Sequence, residues 1–228
     1  MRAGEIYGVA GVGGNGQTEL VAALIGGHPA DAGSIEIKEP GSKVGIQLTN
    51  ISTRKRRNLG LAVVPADRLA FALASSLSVI DNFTVGFVHE GKFGSVARVD
   101  RAAMRRAACL AIEEFDVQGV RSLSQRVGLL SGGNAQKLIL ARELGRKPTV
   151  IIAHSPSRGL DVRACASVHQ RLITARDAGA AIVLISEDLD EVISVADRVG
   201  VMTRGRIVAE FNAPANRHEI GRAMMDHA

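Results

Sequence analysis

Two stretches of this 228-residue sequence hold residues that could bind a phosphate group. In the first, Ser131 can cap a helix, and Gly132 and Gly133 follow where first-turn N–H groups would point outward. Such a helix end attracts anions, because unpaired N–H groups and the helix dipole converge on it. The second, residues 11–18, is a glycine-rich loop between an apolar run and a helical pattern, which can wrap N–H groups around a phosphate chain. Taken alone, each could also be an ordinary capped helix or a tight turn.

The glycine-rich loop departs from the usual phosphate-loop motif at the position where that motif has a lysine. Gly11, Gly16 and Thr18 fit the spacing G-x-x-x-x-G-K-[ST], but Gln17 stands at the lysine position. Glutamine can donate a hydrogen bond, yet it carries no charge to offset the β- and γ-phosphates. Thr18 could still offer its hydroxyl to Mg²⁺. The other loop residues expected to contact phosphate are Gly13, Gly14 and Asn15.

Apolar runs predict the elements that hold these loops. Strands are predicted near residues 5–10, 61–65, 149–153, 181–185 and 198–210, the last being a hairpin. The run at 149–153 is continuously apolar, which is typical of a strand buried on both faces of a parallel sheet. From about residue 69 to 128 the pattern is helical instead. The sequence therefore predicts an α/β fold.

Composition narrows the class of protein. Hydrophobic residues make up 46% of the chain but lie in short runs, so no stretch reaches the roughly 20 residues that span a bilayer. No signal peptide is recognisable. Cys109 and Cys165 lack metal-ligand spacing, and we expect both to be small core residues in a reducing cytoplasm.

The basic character of the chain is compatible with several partners. A net charge of +5 could suit nucleic acid, but the aromatic content is 3% with no Trp, which argues against stacking platforms. We therefore predict no nucleic-acid partner. The basic run at 54–57 is predicted to be a solvated helix face near anionic lipid headgroups.

The order of the motifs resembles that of ABC-type ATPases. The string Leu130-Ser131-Gly132-Gly133-Asn134 looks like their signature motif, which presses on the γ-phosphate of ATP held by a facing nucleotide-binding domain. It follows the phosphate loop and a helical insert, and Gly159-Leu160-Asp161 matches the D-loop that crosses to the partner domain. The resemblance covers nearly the whole chain. It implies an α/β P-loop NTPase fold of the ABC type, with a mostly parallel sheet core.

The resemblance also implies a domain organisation. One nucleotide-binding domain would occupy residues 1–228, with its core at 1–68 and 130–228 and a helical subdomain inserted at about 69–129. The strand pair that opens ABC domains, with an aromatic that stacks on adenine, lies upstream of the position where this chain starts and is missing. We therefore expect a piece of a longer polypeptide, with an uncovered sheet edge and weak adenine recognition.

The family's catalytic positions hold other residues in this chain. The Walker B Asp and the following Glu are replaced by His154 and Ser155, the Mg²⁺-contacting Gln by Ala66, and the switch His by Glu187. The resemblance implies ATP and Mg²⁺ as cofactors, with Thr18 as a weak Mg²⁺ candidate. Because the charge-bearing groups of phosphoryl transfer are not intact, we expect weak nucleotide binding and no activity from this domain alone. Activity would arise only in a composite site.

Within the family, the chain looks closest to the ATPases of nucleoside and simple-sugar importers. The segments that carry this resemblance are residues 14–19, 113–117, 130–137 and 186–191. It implies the carboxy-terminal domain of a tandem ATPase subunit, peripheral on the cytoplasmic face of the cell membrane. The expected partners are a second nucleotide-binding domain, paired head to tail in the same polypeptide, transmembrane permease subunits and, indirectly, a substrate-binding protein. The signature would complete the ATP site of that second domain.

Two other functions stay open. A soluble ABC protein acting in DNA repair or on the ribosome would carry coiled-coil inserts or a long charged linker between the motifs, and the sequence has neither. A structural pseudo-ATPase would support assembly without any catalytic share. A damaged signature would favour that second function, whereas the string from Ser131 to Asn134 is intact.

Overall fold

The computed structural model describes residues 1–38, 44–88, 91–95 and 98–226. The strands are β1 (Ile6–Ala10), β2 (Glu36–Lys38), β3 (Gly45–Gln47), β4 (Leu61–Val64), β5 (Gly94–Ser95), β6 (Arg98–Val99), β7 (Val150–His154), β8 (Ala181–Ser186), β9 (Arg198–Thr203) and β10 (Arg206–Asn212). The helices are α1 (Gln17–Ile25), α2 (Thr53–Asn58), α3 (Arg68–Phe71), α4 (Val79–Val88), α5 (Arg101–Glu114), α6 (Gly132–Leu144), α7 (Val162–Asp177), α8 (Leu189–Val195) and α9 (Arg217–Asp226). None of the helices within these described ranges is both long and apolar enough to cross a membrane.

A six-stranded sheet in the order β10-β9-β1-β8-β7-β4 forms the centre of the fold. The neighbouring pairs β9/β1, β1/β8 and β8/β7 are parallel, and β10 is antiparallel to β9. Every residue of β8 and residues 150–153 of β7 are buried, as the continuous apolar runs predict. The mostly parallel α/β core predicted from the sequence is therefore confirmed.

Strand register brings the functional loops to one edge of the sheet. Ala10 at the end of β1 pairs with Ser186 of β8 and with Val201 of β9. His154 at the end of β7 pairs with Ile185 of β8. Because these strands are parallel, the segments that follow β1, β7 and β8 all leave from their carboxyl ends, where ligands bind in open α/β sheets.

The chain divides into two compact units. The first comprises the described parts of 1–63, 148–155 and 172–228 and holds most of the large sheet. The second comprises the described parts of 64–147 and 156–171 and is mainly helical. Within the second unit, Phe87 packs between Phe83 and Phe93, with ring centroids 5.5 and 5.9 Å away. The boundaries of a helical subdomain at about 69–129 stay a prediction.

The basic run at 54–57 is not wholly a solvated face, so that prediction is wrong at Arg56. This side chain is 1% exposed, and its guanidinium donates to the carbonyls of Ala23 and Leu24, both at 2.6 Å, and of Ile51 at 2.9 Å. The last carbonyls of α1 have no partner within their own helix. Arg56 supplies donors to them, because a guanidinium can serve several acceptors at once.

Replacement of this buried guanidinium should destabilise the first unit. We expect Arg56→Met to lower the free energy of unfolding by about 3 kcal/mol, because several half-buried carbonyls lose a charged donor together. The exposed neighbour provides the matched control: Arg54→Met should change stability by no more than about 0.5 kcal/mol. Urea denaturation followed by circular dichroism measures both, and equal midpoints for the two variants would contradict the role of Arg56.

The cysteines are not core residues, contrary to the sequence prediction. Cys109 is exposed on α5 and Cys165 is half-buried on α7. On α5 the buried positions are Ala108 and Ala111, and Cys109 lies about 100° round the helix from Ala108. The apolar character of cysteine was therefore a poor guide to its place on an amphipathic helix.

Candidate functional site

The glycine-rich loop connects β1 to α1 in a backbone shape that suits an anion. Gly14 and Gly16 have φ values of 86° and 102°, a left-handed region that side chains other than glycine rarely adopt. At Gly11 an added Cβ would lie 2.5 Å from the carbonyl oxygen of Met202, so only glycine fits there. The loop residues Gly13 and Gly14 are exposed, with their backbone accessible to a ligand.

Asn15 links this loop by hydrogen bonds to the turn between β9 and β10. Its Oδ1 accepts the N–H of Arg204 at 3.0 Å, and its own carbonyl accepts the N–H of Gly205 at 2.8 Å. Its Nδ2 donates to the carbonyl of Val12 at 3.0 Å. We call these three bonds the Asn15 clasp. Contacts within the protein thus tie the loop to this turn.

Gln17, at the lysine position of the motif, turns back onto the loop itself. The side chain is 4% exposed, and its Nε2 donates to the carbonyl of Val12 at 3.0 Å. Its amide is therefore engaged with the loop backbone. Thr18 is exposed on the first turn of α1.

The segments after β7 and β8 place the remaining predicted residues of this unit. His154 ends β7 and is half-buried, and Ser155 follows with a φ of 40° and donates its N–H to the carbonyl of Ile185 at 2.7 Å. Glu187 follows β8, and its Oε1 lies 2.7 Å from the position that a Cβ on Gly13 would occupy. A carboxylate is thus held directly against the phosphate loop. Ala66 belongs to the second unit, where it is half-buried between β4 and α3.

The fit of this loop to ATP and Mg²⁺ is only partial. Its backbone conformation suits phosphate oxygens, but the carboxylate of Glu187 beside Gly13 opposes a second anion. Across the described residues, no three His, Cys, Asp or Glu side chains are grouped to hold a metal ion. Glu187 is the one carboxylate that the preceding contacts place beside the loop, and the positions where the family has its two Mg²⁺- and water-handling carboxylates hold His154 and Ser155.

The second candidate site lies at the start of α6, where Ser131 is the N-cap as predicted. Its Oγ accepts hydrogen bonds from the backbone N–H of Asn134 at 3.4 Å and from Asn134 Nδ2 at 2.9 Å. A hydroxyl has two acceptor lone pairs and one O–H donor, so both lone pairs are occupied and the O–H can donate to a ligand. Ser131 is exposed, which leaves that donor accessible.

The two glycines after Ser131 add backbone donors. The N–H groups of Gly132 and Gly133 belong to the first turn of α6, which has no carbonyls four residues earlier within the helix. A Cβ at Gly133 would lie 3.1 Å from that of Ala164 on α7, so glycine allows the two helices to approach closely. Leu130 leads into the cap in extended conformation. The amino-terminal end of α6 therefore presents three neutral hydrogen-bond donors on one small surface.

Contacts that sequence reasoning missed hold this helix start in place. Asn134 Oδ1 accepts the N–H of Gln118 at 2.8 Å, and Lys137 Nζ lies 2.7 Å from Asp116 Oδ2. The hydrogen bond from Lys137, helped by one from Gln118, holds the pKa of Asp116 below its usual value. Asp116 and Gln118 are polar and exposed on either side of the buried Val117, so nothing in their local pattern signals these contacts.

The predicted D-loop residues lie at the start of α7. Asp161 Oδ1 accepts the N–H of Ala164 at 2.9 Å and so caps this helix. Gly159 has a φ of 69°, and the N–H of Leu160 donates to the carbonyl of Ser157 at 3.1 Å.

Arg68 is a further residue that sequence reasoning gave no role. Its Nη2 donates to the carbonyl of Arg158 at 3.2 Å and lies 3.5 Å from the Cβ positions of both Gly132 and Gly159. All of these residues belong to the second unit. A cation therefore lies between the start of α6 and the predicted D-loop. The only signal in the sequence is a basic residue directly after the helix cap Asp67.

Comparison with known proteins identifies the family. The family model described as "ABC transporter" matches residues 1–158. The chain belongs to the ABC transporter family. This ABC chain is 40% identical over 226 residues to the glucose import ATP-binding protein TsgD13 of Haloferax volcanii, covering 98% of the chain and 40% of that protein. It is 37% identical over 212 residues to the guanosine import ATP-binding protein NupO of Bacillus subtilis, covering 93% of the chain and 40% of that protein.

Solved structures support the fold of this ABC domain. The dimeric structure of MJ0796, a bacterial ABC transporter cassette, matches with a TM-score of 0.77 and 18% identity, covering 95% of this chain and 88% of that one. The predicted ABC-type P-loop fold is therefore confirmed, as is the relation to nucleoside and sugar importer ATPases. The chain spans about two fifths of the length of the curated relatives it matches.

Proposed function

We propose that this ABC domain couples ATP to import of nucleosides or simple sugars by lending its signature to an ATP site opened by a facing nucleotide-binding domain. Two relatives named for glucose and guanosine import support the substrate class. The proposal assigns the chain to the carboxy-terminal half of a tandem ATPase, which agrees with its span of about two fifths of those relatives.

The observation that carries this proposal is the donor set at the start of α6. The O–H of Ser131 and the N–H groups of Gly132 and Gly133 can all point toward an anion, and the oxygen of Ser131 is already saturated by Asn134. Preorganised donors of this kind stabilise negative charge as it develops during transfer of a phosphoryl group. The anion that fits the family is the terminal phosphate of ATP bound by the facing domain.

The chain's own phosphate loop would contribute little to hydrolysis. Gln17 brings no charge to the phosphates, and Glu187 places a carboxylate beside Gly13. His154 and Ser155 do not replace the two carboxylates that handle Mg²⁺ and water in the family. We assign this loop weak binding of ATP and Mg²⁺, with the exposed Thr18 as the candidate for a metal contact.

The assembly that this function requires follows from the same proposal. A second nucleotide-binding domain would pair head to tail with this one, and transmembrane permease subunits would bind the pair at the cytoplasmic face of the membrane. A substrate-binding protein would select the solute. D-loop residues Gly159, Leu160 and Asp161 are candidates to reach the second domain.

One alternative has support from a specific observation. Glu187 against Gly13 and Gln17 folded onto Val12 suit a domain that has lost its own nucleotide chemistry and serves only assembly. The intact donors of Ser131, Gly132 and Gly133 favour donation to a partner site instead. Relatives named as import proteins weigh against a soluble ABC protein of DNA repair or the ribosome.

A reconstitution experiment tests the proposal. MgATP turnover is measured for this chain alone, for a matching amino-terminal nucleotide-binding domain alone, and for the two mixed. We expect no turnover by this chain and a rise of about a thousandfold when it joins its partner, because the composite site gains its oxyanion-type donors. Turnover by this chain alone at the rate of the mixture would contradict the assignment of Gln17, His154, Ser155 and Glu187. Absence of any rise in the mixture would favour the assembly role.

A further inference from the structure

We propose that Arg68 is a phosphate-contacting residue, which adds a positive charge to the donors of Ser131, Gly132 and Gly133. Its ligand would be the terminal phosphate of a nucleoside triphosphate held by the facing domain. This inference rests on the proposed function and extends the signature site by one residue from outside the motif.

The position of the guanidinium carries the inference. Three of its atoms, Nη2, Cζ and Nε, lie 3.5, 3.8 and 4.0 Å from the Cβ position of Gly132. On its other side Nη2 lies 3.5 Å from the Cβ position of Gly159 and donates to the carbonyl of Arg158 at 3.2 Å. The charge therefore lies within 4.0 Å of the point where a side chain on Gly132, the first residue of α6, would begin.

The guanidinium has spare capacity to bind a ligand. Its bond to Arg158 uses one N–H, and an arginine carries five. Within the part of the chain that the structure describes, no carboxylate forms an ion pair with Arg68. The side chain is half-buried, so it remains within reach of a phosphate that approaches Gly132.

Hydrogen bonds order the backbone of the segment that carries Arg68, and the bond to the Arg158 carbonyl orients its guanidinium. Asp67 caps α3 by accepting the N–H groups of Leu69 at 3.0 Å and Ala70 at 2.9 Å. The carbonyl of Arg68 itself accepts the N–H groups of Ala72 at 3.1 Å and Leu73 at 2.7 Å. A preorganised charge is worth more in catalysis than one that must be ordered during the reaction.

A positive charge beside Gly132 would supply an electrostatic interaction that the neutral donors of the signature cannot provide. The O–H of Ser131 and the N–H groups of Gly132 and Gly133 are all neutral donors. The transferring phosphoryl group carries negative charge on its equatorial oxygens, and arginine binds such oxygens through two parallel N–H groups. We therefore expect Arg68 to act mainly in the transition state.

The test compares substitutions in the assembled ATPase, in which this chain is paired with its facing domain. Arg68→Met removes the positive charge but keeps a long side chain. Arg68→Lys keeps the positive charge but loses the two parallel N–H groups of the guanidinium. We expect Arg68→Met to lower kcat by about tenfold to a hundredfold with little change in KM, and to weaken inhibition by vanadate, a mimic of the transferring phosphoryl group. Arg68→Lys should retain more of both than Arg68→Met, because charge is the property that acts.

Arg105→Met is the matched control, because it removes the charge of an exposed arginine on α5 in the same unit. This variant should keep wild-type kcat and vanadate inhibition. Unchanged kcat in Arg68→Met would overturn the inference, and so would equal losses in the Lys and Met variants with unchanged vanadate inhibition, which would indicate a loop-holding role only. Ser131→Arg distinguishes failure of the proposed function from failure of the role of Arg68. If Ser131→Arg abolishes activity while Arg68→Met leaves it unchanged, the proposed function is supported and the role of Arg68 is not. If Ser131→Arg has no effect, both are wrong.

Discussion

Ser131→Arg should remove the stimulation that this chain gives to a facing nucleotide-binding domain, with a loss in kcat of about a thousandfold. The substitution deletes the O–H donor and the helix cap, and it places a long side chain over the N–H groups of Gly132 and Gly133. The facing site would then lose all three neutral donors at once. Steady-state hydrolysis of MgATP by the mixed domains measures the effect.

Two further variants show whether this loss is local. Ser131→Ala deletes the O–H and places no bulk over the N–H groups of the two glycines, so we expect an intermediate loss of about tenfold. Ser76→Arg makes the same substitution at an exposed serine of the same unit and should change nothing. Full stimulation by Ser131→Arg, with the chain folded by circular dichroism, would show that the start of α6 does not meet the nucleotide.

Restoring charge to the phosphate loop should produce the second large effect. We expect Gln17→Lys combined with Glu187→Gln to lower the Kd of this chain for MgATP by about a hundredfold. The lysine would add a charge-assisted contact to the phosphates, and the glutamine would remove the carboxylate that lies against Gly13. Isothermal titration calorimetry on the chain alone measures the change.

AMP is the control ligand for this experiment, because it lacks the β- and γ-phosphates on which the two substitutions act. Its affinity should be the same for the wild type and the double variant. Hydrolysis should not return, since His154 and Ser155 remain at the positions of the family's carboxylates. An unchanged Kd for MgATP would mean that the loop between β1 and α1 does not bind the triphosphate.

Local sequence pattern predicts the parts of the fold that depend on local physics. The run at 150–153 is apolar because β7 is buried on both faces, and Ser131 caps α6 as its position predicts. Motif order then supplied the family, which composition could not. The α/β class and the ABC fold were therefore predictable.

Long-range contacts were not predictable in the same way. Arg56 looks like one of four solvated cations until the chain folds and brings it under the carbonyls of Ala23 and Leu24. Arg68 likewise gains its neighbours Gly132 and Gly159 only through the fold of the second unit. A single sequence gives the charge of each side chain, but it does not show which distant backbone groups that side chain contacts in the folded protein.

The Asn15 clasp has a consequence for the domain when nucleotide is scarce. A bound ligand stabilises the folded state of a protein, and this stabilisation is lost as the ligand is depleted. At a free ligand concentration equal to Kd, the ligand adds only about 0.4 kcal/mol to the free energy of unfolding. Arg204 and Gly205 are bonded to the loop through Asn15, so part of the order in this loop comes from contacts within the protein. We therefore expect this loop to keep much of its shape when nucleotide is scarce.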